Sequence, residues 1–196
     1  MTDNAQSPLY PFTEVPPRTF ETERLRLRAA GTSDLDIVFK VYTGDPIATK
    51  YMFWPRSIAP EDGQPFLELV DASFAGRSNG SISFSWLIQL KETGEFIGGC
   101  GIDSLTGNTV SGGYILNPAF WGKSYAAEAW KPVVEWAKTQ PDIARIEAGH
   151  HPDNPASGAV MRKVGLTFDK ITDAEGKYPN LDGDSHETVV YTWVRP

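Results

Sequence analysis

The chain has 196 residues, enough for one domain that buries roughly 70% of the surface its unfolded form exposes. Hydrophobic residues make up 40% and aromatic residues 12%, so a packed core is expected and a disordered chain is excluded. A formal net charge of -7 disfavours nonspecific nucleic-acid binding, and it suits a cationic substrate as well as it suits an ordinary soluble protein.

The N-terminal stretch MTDNAQSPLYPFTEVPP has no basic start followed by an apolar run, so it does not read as a secretory signal. No apolar run approaches the ~20 residues that cross a bilayer. Cys100 is the only cysteine, which rules out an intrachain disulfide and points to a reducing, cytoplasmic location. Residues 1–19 carry Pro8, Pro11, Pro16 and Pro17 and read as an extended arm. Its aromatics Tyr10 and Phe12, with Phe20 just beyond, either dock on the body or leave the arm loose. Residues 20–196 read as a single domain without repeats or linkers.

In residues 23–29, Leu25 and Leu27 alternate with arginines, as in a half-buried strand. Ser33 is placed to cap a helix running to Tyr42. A second helix opens near Pro60, ends at Gly76, and is expected to bury Phe66, Leu69, Val70 and Phe74. Strands follow at 84–90, 95–103 and 109–116, joined by turns at Gly94 and Gly107, an antiparallel meander. A helix then spans 124–138 with Pro132 inside it, predicting a lost hydrogen bond and a bend near Glu128. A strand at 144–150 leads to a helix with Asn154 as N-cap, Pro155 at its first position and Gly165 as its stop. Two strands, 166–172 and 187–194, close the chain. This order predicts an α+β fold with a mixed, mostly antiparallel central sheet flanked by helices.

The stretch from Tyr114 to Trp130, YILNPAFWGKSYAAEAW, brings a strand through a Gly-Lys loop into an Ala-rich helix. It ends as a nucleotide-binding P-loop ends, but Asn117 stands where that motif needs glycine, and the preceding strand belongs to a meander rather than a βαβ unit. The N–H groups of Gly122, Lys123, Ser124, Tyr125, Ala126 and Ala127 precede any intrahelical partner and suit an anion, with Lys123 adding charge. An ordinary strand-to-helix turn explains the stretch equally well by itself.

Taken together, GGYILNPAFWGKSYAAEAW and RIEAGHHPDNPASGAVMRKVGLTF resemble the GNAT superfamily of acetyl-CoA-dependent N-acetyltransferases. The branch they resemble most includes the ribosomal-protein alanine N-acetyltransferases, and ETERLRLR is similar to that branch's opening strand. The resemblance spans residues 22–194. It departs at the pyrophosphate loop, where Trp121 holds the first place and Ser124 stands where glycine is usual, while Ala126 fits the last.

The resemblance implies a V-shaped split between two central strands, with pantetheine lying along residues 114–117 opposite the strand at 144–150. Backbone N–H groups near Ile115 or Leu116 would polarise the thioester, and residues 121–127 would hold the diphosphate. An amine, either a protein N-terminus or a small molecule, would attack bound acetyl-CoA directly. Asn154 is implied to contact the pantetheine amides, though capping its helix accounts for it as well. Ser157, one turn on, is implied to act at the thioester sulfur, or else it bonds locally. Lys163 reads as a solvated helix-face lysine that could reach the 3′-phosphate. For the base that deprotonates the amine, Glu147, Asp103, Asp184, Glu187, His150 and His186 remain open. His150 and His151 point to opposite strand faces, which disfavours a metal site, and Cys100 reads as packed. A different class stays open, a non-catalytic acyl-CoA sensor. The chain is expected to act as a monomer or homodimer, without nucleic acid or membrane.

Overall fold

In a computed structural model of the chain, the described residues are 9–78, 80–173, 178–182 and 186–196. The strands are β1 (Thr19–Glu21), β2 (Leu25–Ala29), β3 (Ser83–Leu90), β4 (Phe96–Ser104), β5 (Thr109–Leu116), β6 (Arg145–His150), β7 (Thr167–Asp173) and β8 (Glu187–Val194). The helices are α1 (Leu35–Val38), α2 (Gln64–Phe74), α3 (Tyr125–Thr139) and α4 (Pro155–Lys163). The strands form one 8-stranded sheet in the order β1-β2-β3-β4-β5-β6-β8-β7. Every neighbouring pair is antiparallel except β5–β6. The mixed, mostly antiparallel sheet expected from the pattern is therefore present.

Strand alternation divides the core in two. On one face Ile88, Cys100, Ile102, Val110 and Leu116 pack with Trp130, Val133 and Val134 of α3. On the other, Leu87 and Ile115 pack with Val38, Tyr42 and Leu67. Cys100 is a packed core thiol, and burial pushes its pKa up. Pro132 sits inside α3, which nonetheless continues to Thr139.

The described part of the arm docks. Phe12 is 1% exposed, stacked on Trp136 at 5.6 Å and edge-on to Phe84 at 5.1 Å. Trp86 Nε1 donates to the Pro17 carbonyl at 3.0 Å, and β1 then pairs with β2, adding a strand that the sequence pattern did not signal.

Two expectations are corrected. The helix expected to start at Ser33 is a composite, a 3-10 turn at Thr32–Asp34, the short α1, and a π-helical turn at Phe39–Thr43. Asp34 makes the turn instead of Ser33. Its carboxylate accepts from Gly31 N–H at 3.0 Å and pairs with both terminal nitrogens of Arg28, at 2.9 and 2.8 Å. In α2 the buried stripe is Leu67, Val70, Ser73 and Phe74, while Phe66 is 44% exposed and Leu69 half-buried. The stripe is rotated toward Leu67 because that residue fills the second core, which periodicity alone does not reveal.

Candidate active site

β5 and β6 run parallel but pair only at Thr109↔Arg145, Val110↔Ile146 and Ser111↔Glu147. Beyond that apex they diverge, and the V-shaped split opens toward their C-terminal ends. The bonds from Leu105 N–H to Thr109 O and from Asn117 N–H to Ile97 O bracket the β4–β5 ladder. Antiparallel alternation between them directs the main-chain groups of odd-numbered β5 residues to β4 and those of even-numbered residues to the gap. Tyr114 and Leu116 therefore present their N–H groups to the split. Ile115, the other donor expected from the sequence, faces β4 and is excluded. Trp121 Nε1 donates to Leu116 O at 2.9 Å, tying the loop to the strand end.

The loop meets α3 in an unusual backbone. Gly122 has φ 78°, and a Cβ built there would meet nothing within 4 Å, so space for a ligand's close approach is open. Ser124 is the N-cap at φ 62°, ψ 11°, the left-handed region that glycine favours, and no other described non-glycine residue has positive φ. Glu128 N–H closes the first turn onto Ser124 O, while the N–H groups of residues 122–127 have no partner among the described residues. Those of residues 125–127 lie at the positive end of the α3 dipole, a contribution of ~0.3–1 kcal/mol to a bound anion.

Cations gather at this edge. Lys163 Nζ donates to Ser124 Oγ at 3.0 Å, so this lysine is exposed yet held against the loop rather than free in solvent. Arg24 donates to Lys123 O at 3.1 Å and lies 4.5 Å over the Tyr125 ring. Glu128 orients it, accepting from Arg24 N at 2.8 Å, Arg24 Nε at 2.7 Å and Thr22 Oγ1 at 2.6 Å. Burial opposes ionisation of Glu128, but those donors outweigh it and hold its carboxyl below the usual range. Arg24 and Lys163 lie 99 and 39 residues from their loop partners, and local sequence carries no sign of either contact.

On the other wall stand Asn154 and Ser157. Asn154 occupies the N-cap position of α4, but its side chain makes no capping bond, which leaves the amide available to a ligand. Ser157 meets Tyr114, whose hydroxyl lies 2.9 Å from Ser157 O and 2.7 Å from Ser157 Oγ. A carbonyl can only accept, so one arrangement satisfies both contacts: Tyr114 donates to Ser157 O, and Ser157 Oγ donates to Tyr114 Oη. Burial pushes the Tyr114 pKa up, keeping the phenol protonated. Tyr114 thus anchors Ser157 from across the split, a role that needs the fold to be seen.

The remaining base candidates scatter. His150 is buried against α4, near Gly158 and Tyr191. His151 Nδ1 accepts from Asp153 N–H at 3.1 Å, burial lowers its pKa, and its Nε2 lies 3.4 Å from His186 Nδ1. Glu187 is exposed at the start of β8, and Asp184 lies outside the described residues. Asp103 and Glu147 face the sheet surface away from α3. No cluster of metal-ligating residues occurs among the described residues. Beside the end of β6, where Phe53 lies against Gly149, Asn180 Nδ2 donates to Thr49 O (2.8 Å) and Trp54 O (2.9 Å) and its Oδ1 accepts from Arg56 N (2.8 Å). Tyr51 stacks on His151 and Tyr178 meets Phe53 in the same region.

Residues 24–167 match the family described as Acetyltransferase (GNAT) domain. The chain belongs to the GNAT acetyltransferase family. It is 34% identical over 156 residues to an uncharacterized N-acetyltransferase, p20, of Bacillus licheniformis, covering 78% of this chain and 83% of that protein. A second relative, YoaA of Bacillus subtilis, is 26% identical over 90% of this chain and 96% of its own. Among solved structures, the fold resembles RimL, a ribosomal alpha-N-protein acetyltransferase in complex with coenzyme A. The TM-score is 0.73 at 20% identity, over 92% of this chain and 98% of that one. A ribosomal-protein alanine acetyltransferase from Vibrio fischeri gives a TM-score of 0.73 at 19% identity, over 91% and 99%.

GNAT proteins use acetyl-CoA, and this chain is an acetyl-CoA-dependent acetyltransferase. The residues present fit that cofactor, with amides at the head of α3 that have no partner among the described residues, room above Gly122 and a gap edged by the Tyr114 and Leu116 N–H groups. Among the described residues no helix is long and apolar enough to cross a membrane.

Proposed function

We propose that this protein acetylates a primary amine, a protein N-terminus or a small amine, by direct attack in a ternary complex. The observation that carries it is the run of unpartnered N–H groups at residues 122–127 beside the split between β5 and β6. When bound, acetyl-CoA supplies an activated thioester, so no enzyme nucleophile is needed, in keeping with the buried Cys100.

In this reading residues 121–127 hold the diphosphate, with Lys163 and Arg24 adding positive charge at the loop's edge. The Leu116 N–H pairs with the pantetheine arm as a neighbouring strand would, and the deeper Tyr114 N–H faces the thioester oxygen as its charge develops. Asn154 offers its uncommitted amide to the arm. Ser157, held by the Tyr114 bond to its carbonyl, exchanges its own hydroxyl bond to Tyr114 Oη for one to the departing sulfur. Protein N-termini are favoured as acceptors by analogy with the related ribosomal-protein enzymes. The lone cysteine supports action in the cytoplasm.

Calorimetric titration with acetyl-CoA, paired with thiol release across alanine- and serine-initiated peptides and small amines, tests this. Binding together with acceptor-dependent release is expected. Binding without release under any acceptor would instead support a sensor.

A further inference from the structure

The two faces of the split differ. Tyr114 points to the face covered by α3 and α4, where its ring lies 5.4 Å from Trp130 and its hydroxyl meets Ser157. By strand alternation Ser111, Gly113 and Ile115 point to the opposite face. The register Ser83↔Asp103↔Ser111↔Glu147↔Thr192 lays one polar row across that face, level with the apex where β5–β6 pairing ends. The next row toward the mouth is Ser85↔Gly101↔Gly113. It is a floor of small residues, and a Cβ on Gly113 would meet nothing within 4 Å. The open space on this face lies above Gly113, whereas the Tyr114 side is filled by Trp130 and Ser157.

β4, β5 and β6 carry two acidic residues, Asp103 and Glu147, and both lie in that row. Glu147 already has a counter-ion, since Arg145 lies 3.2 Å from it and also holds Asp169 at 2.7 Å. Asp103 has none among the described residues. Ser83 Oγ donates to its Oδ1, and its Oδ2 has no partner among the described residues. Among the described residues of this face, Arg26 is paired with Glu21. Arg28 is paired with Asp34, and burial keeps Tyr42, above Gly99, a protonated phenol. Burial pushes the Asp103 carboxyl up to about 6, with the Ser83 bond pulling the other way. A partly buried carboxylate without a cation is costly, and a cation arriving with the substrate removes that cost.

We propose that Asp103 binds the acceptor's ammonium group and takes its proton, from the sheet face opposite Ser157. This rests on the acetyltransferase reading. The ammonium N–H bond breaks and the proton passes to Asp103 Oδ2, directly or through one water. The freed nitrogen lone pair forms the new N–C bond, and the C–S electron pair leaves on sulfur. Acceptors with an unhindered primary ammonium are selected, because the glycine floor admits the group and Asp103 repays its desolvation.

The test is a carbon-detected titration of protein labelled at the aspartate carboxyl carbons, with the Asp103 signal assigned from Asp103→Asn, with and without saturating alaninamide. A midpoint near 6 is expected. Alaninamide should lower it by about one unit or more, and Ser83→Ala should raise it. A midpoint in the ordinary carboxylate range, or one that alaninamide leaves unmoved, overturns the proposal. In thiol release with alaninamide, Asp103→Asn should lose about 100-fold or more in kcat/KM while calorimetric acetyl-CoA affinity stays within about twofold. Ser83→Ala should stay active with its acidic limb moved to higher pH. Wild-type turnover in Asp103→Asn likewise overturns it. A wild-type protein that fails to bind acetyl-CoA defeats the acetyltransferase reading by itself, and the carboxyl titration still decides the ammonium site.

Discussion

Ser124→Gly isolates what the side chain contributes where the loop proposed to hold the cofactor enters α3. Ser124 holds φ 62°, a conformation that costs an L-residue roughly 1–2 kcal/mol. Glycine removes that cost but adds roughly 0.4–1 kcal/mol of unfolded-chain entropy. The substitution also deletes the 3.0 Å bond from Lys163. At this exposed edge that bond contributes about 0–1 kcal/mol. The balance runs from about -1 to +1.6 kcal/mol with a midpoint near +0.3, a Tm change between about -4 and +6 °C. The backbone N–H groups proposed to face the anion are unchanged, so the Kd for coenzyme A should move by less than about threefold, or about 0.65 kcal/mol. Scanning calorimetry and isothermal titration on the same preparation read both quantities. A tenfold or greater loss of affinity at unchanged Tm would refute this account. If Lys163→Ala stayed near wild type in the same assay, the Ser124 hydroxyl itself would be the phosphate ligand.

Ser157→Ala should lower kcat by roughly 10-fold or more with coenzyme A affinity nearly intact, while Tyr114→Phe, which frees Ser157 to rotate, should lose less; equal rates under rate-limiting chemistry would remove the serine from the mechanism. Phe12→Ala should cost about 3–5 kcal/mol and lower Tm by on the order of 10 °C, because the ring is wholly buried; a negligible change in a melting curve would show that the arm is not part of the core. Asp103 has a folded-state pKa of about 6, above its ordinary 3.8, so its contribution to stability is full below 3.8 and is lost as pH rises through 6. Asp103→Asn should flatten that fall in urea titrations across this window, and a slope identical to wild type would contradict the raised value.

Local pattern determined a large part of this protein. Leu25 and Leu27 mark β2, Gly94 and Gly107 mark the meander's turns, and the loop through Gly122 into an Ala-rich stretch marks the start of α3. Each depends on neighbours within a few residues, so the information is contiguous in the chain. Pattern was misleading where packing outweighed propensity. Phe66 yielded the core to Leu67, and Asp34, recruited by Arg28, replaced Ser33 at the first helix. Only the tertiary structure decided which amides face the split, because ladder phase depends on how β5 pairs with β4 and Ile115 looks equivalent to Leu116 in one dimension. The same holds for Tyr114 on Ser157, Lys163 on Ser124, and Ser83 on Asp103. These are meetings of residues distant in sequence, and their chemistry comes from burial and register that no short window of residues carries.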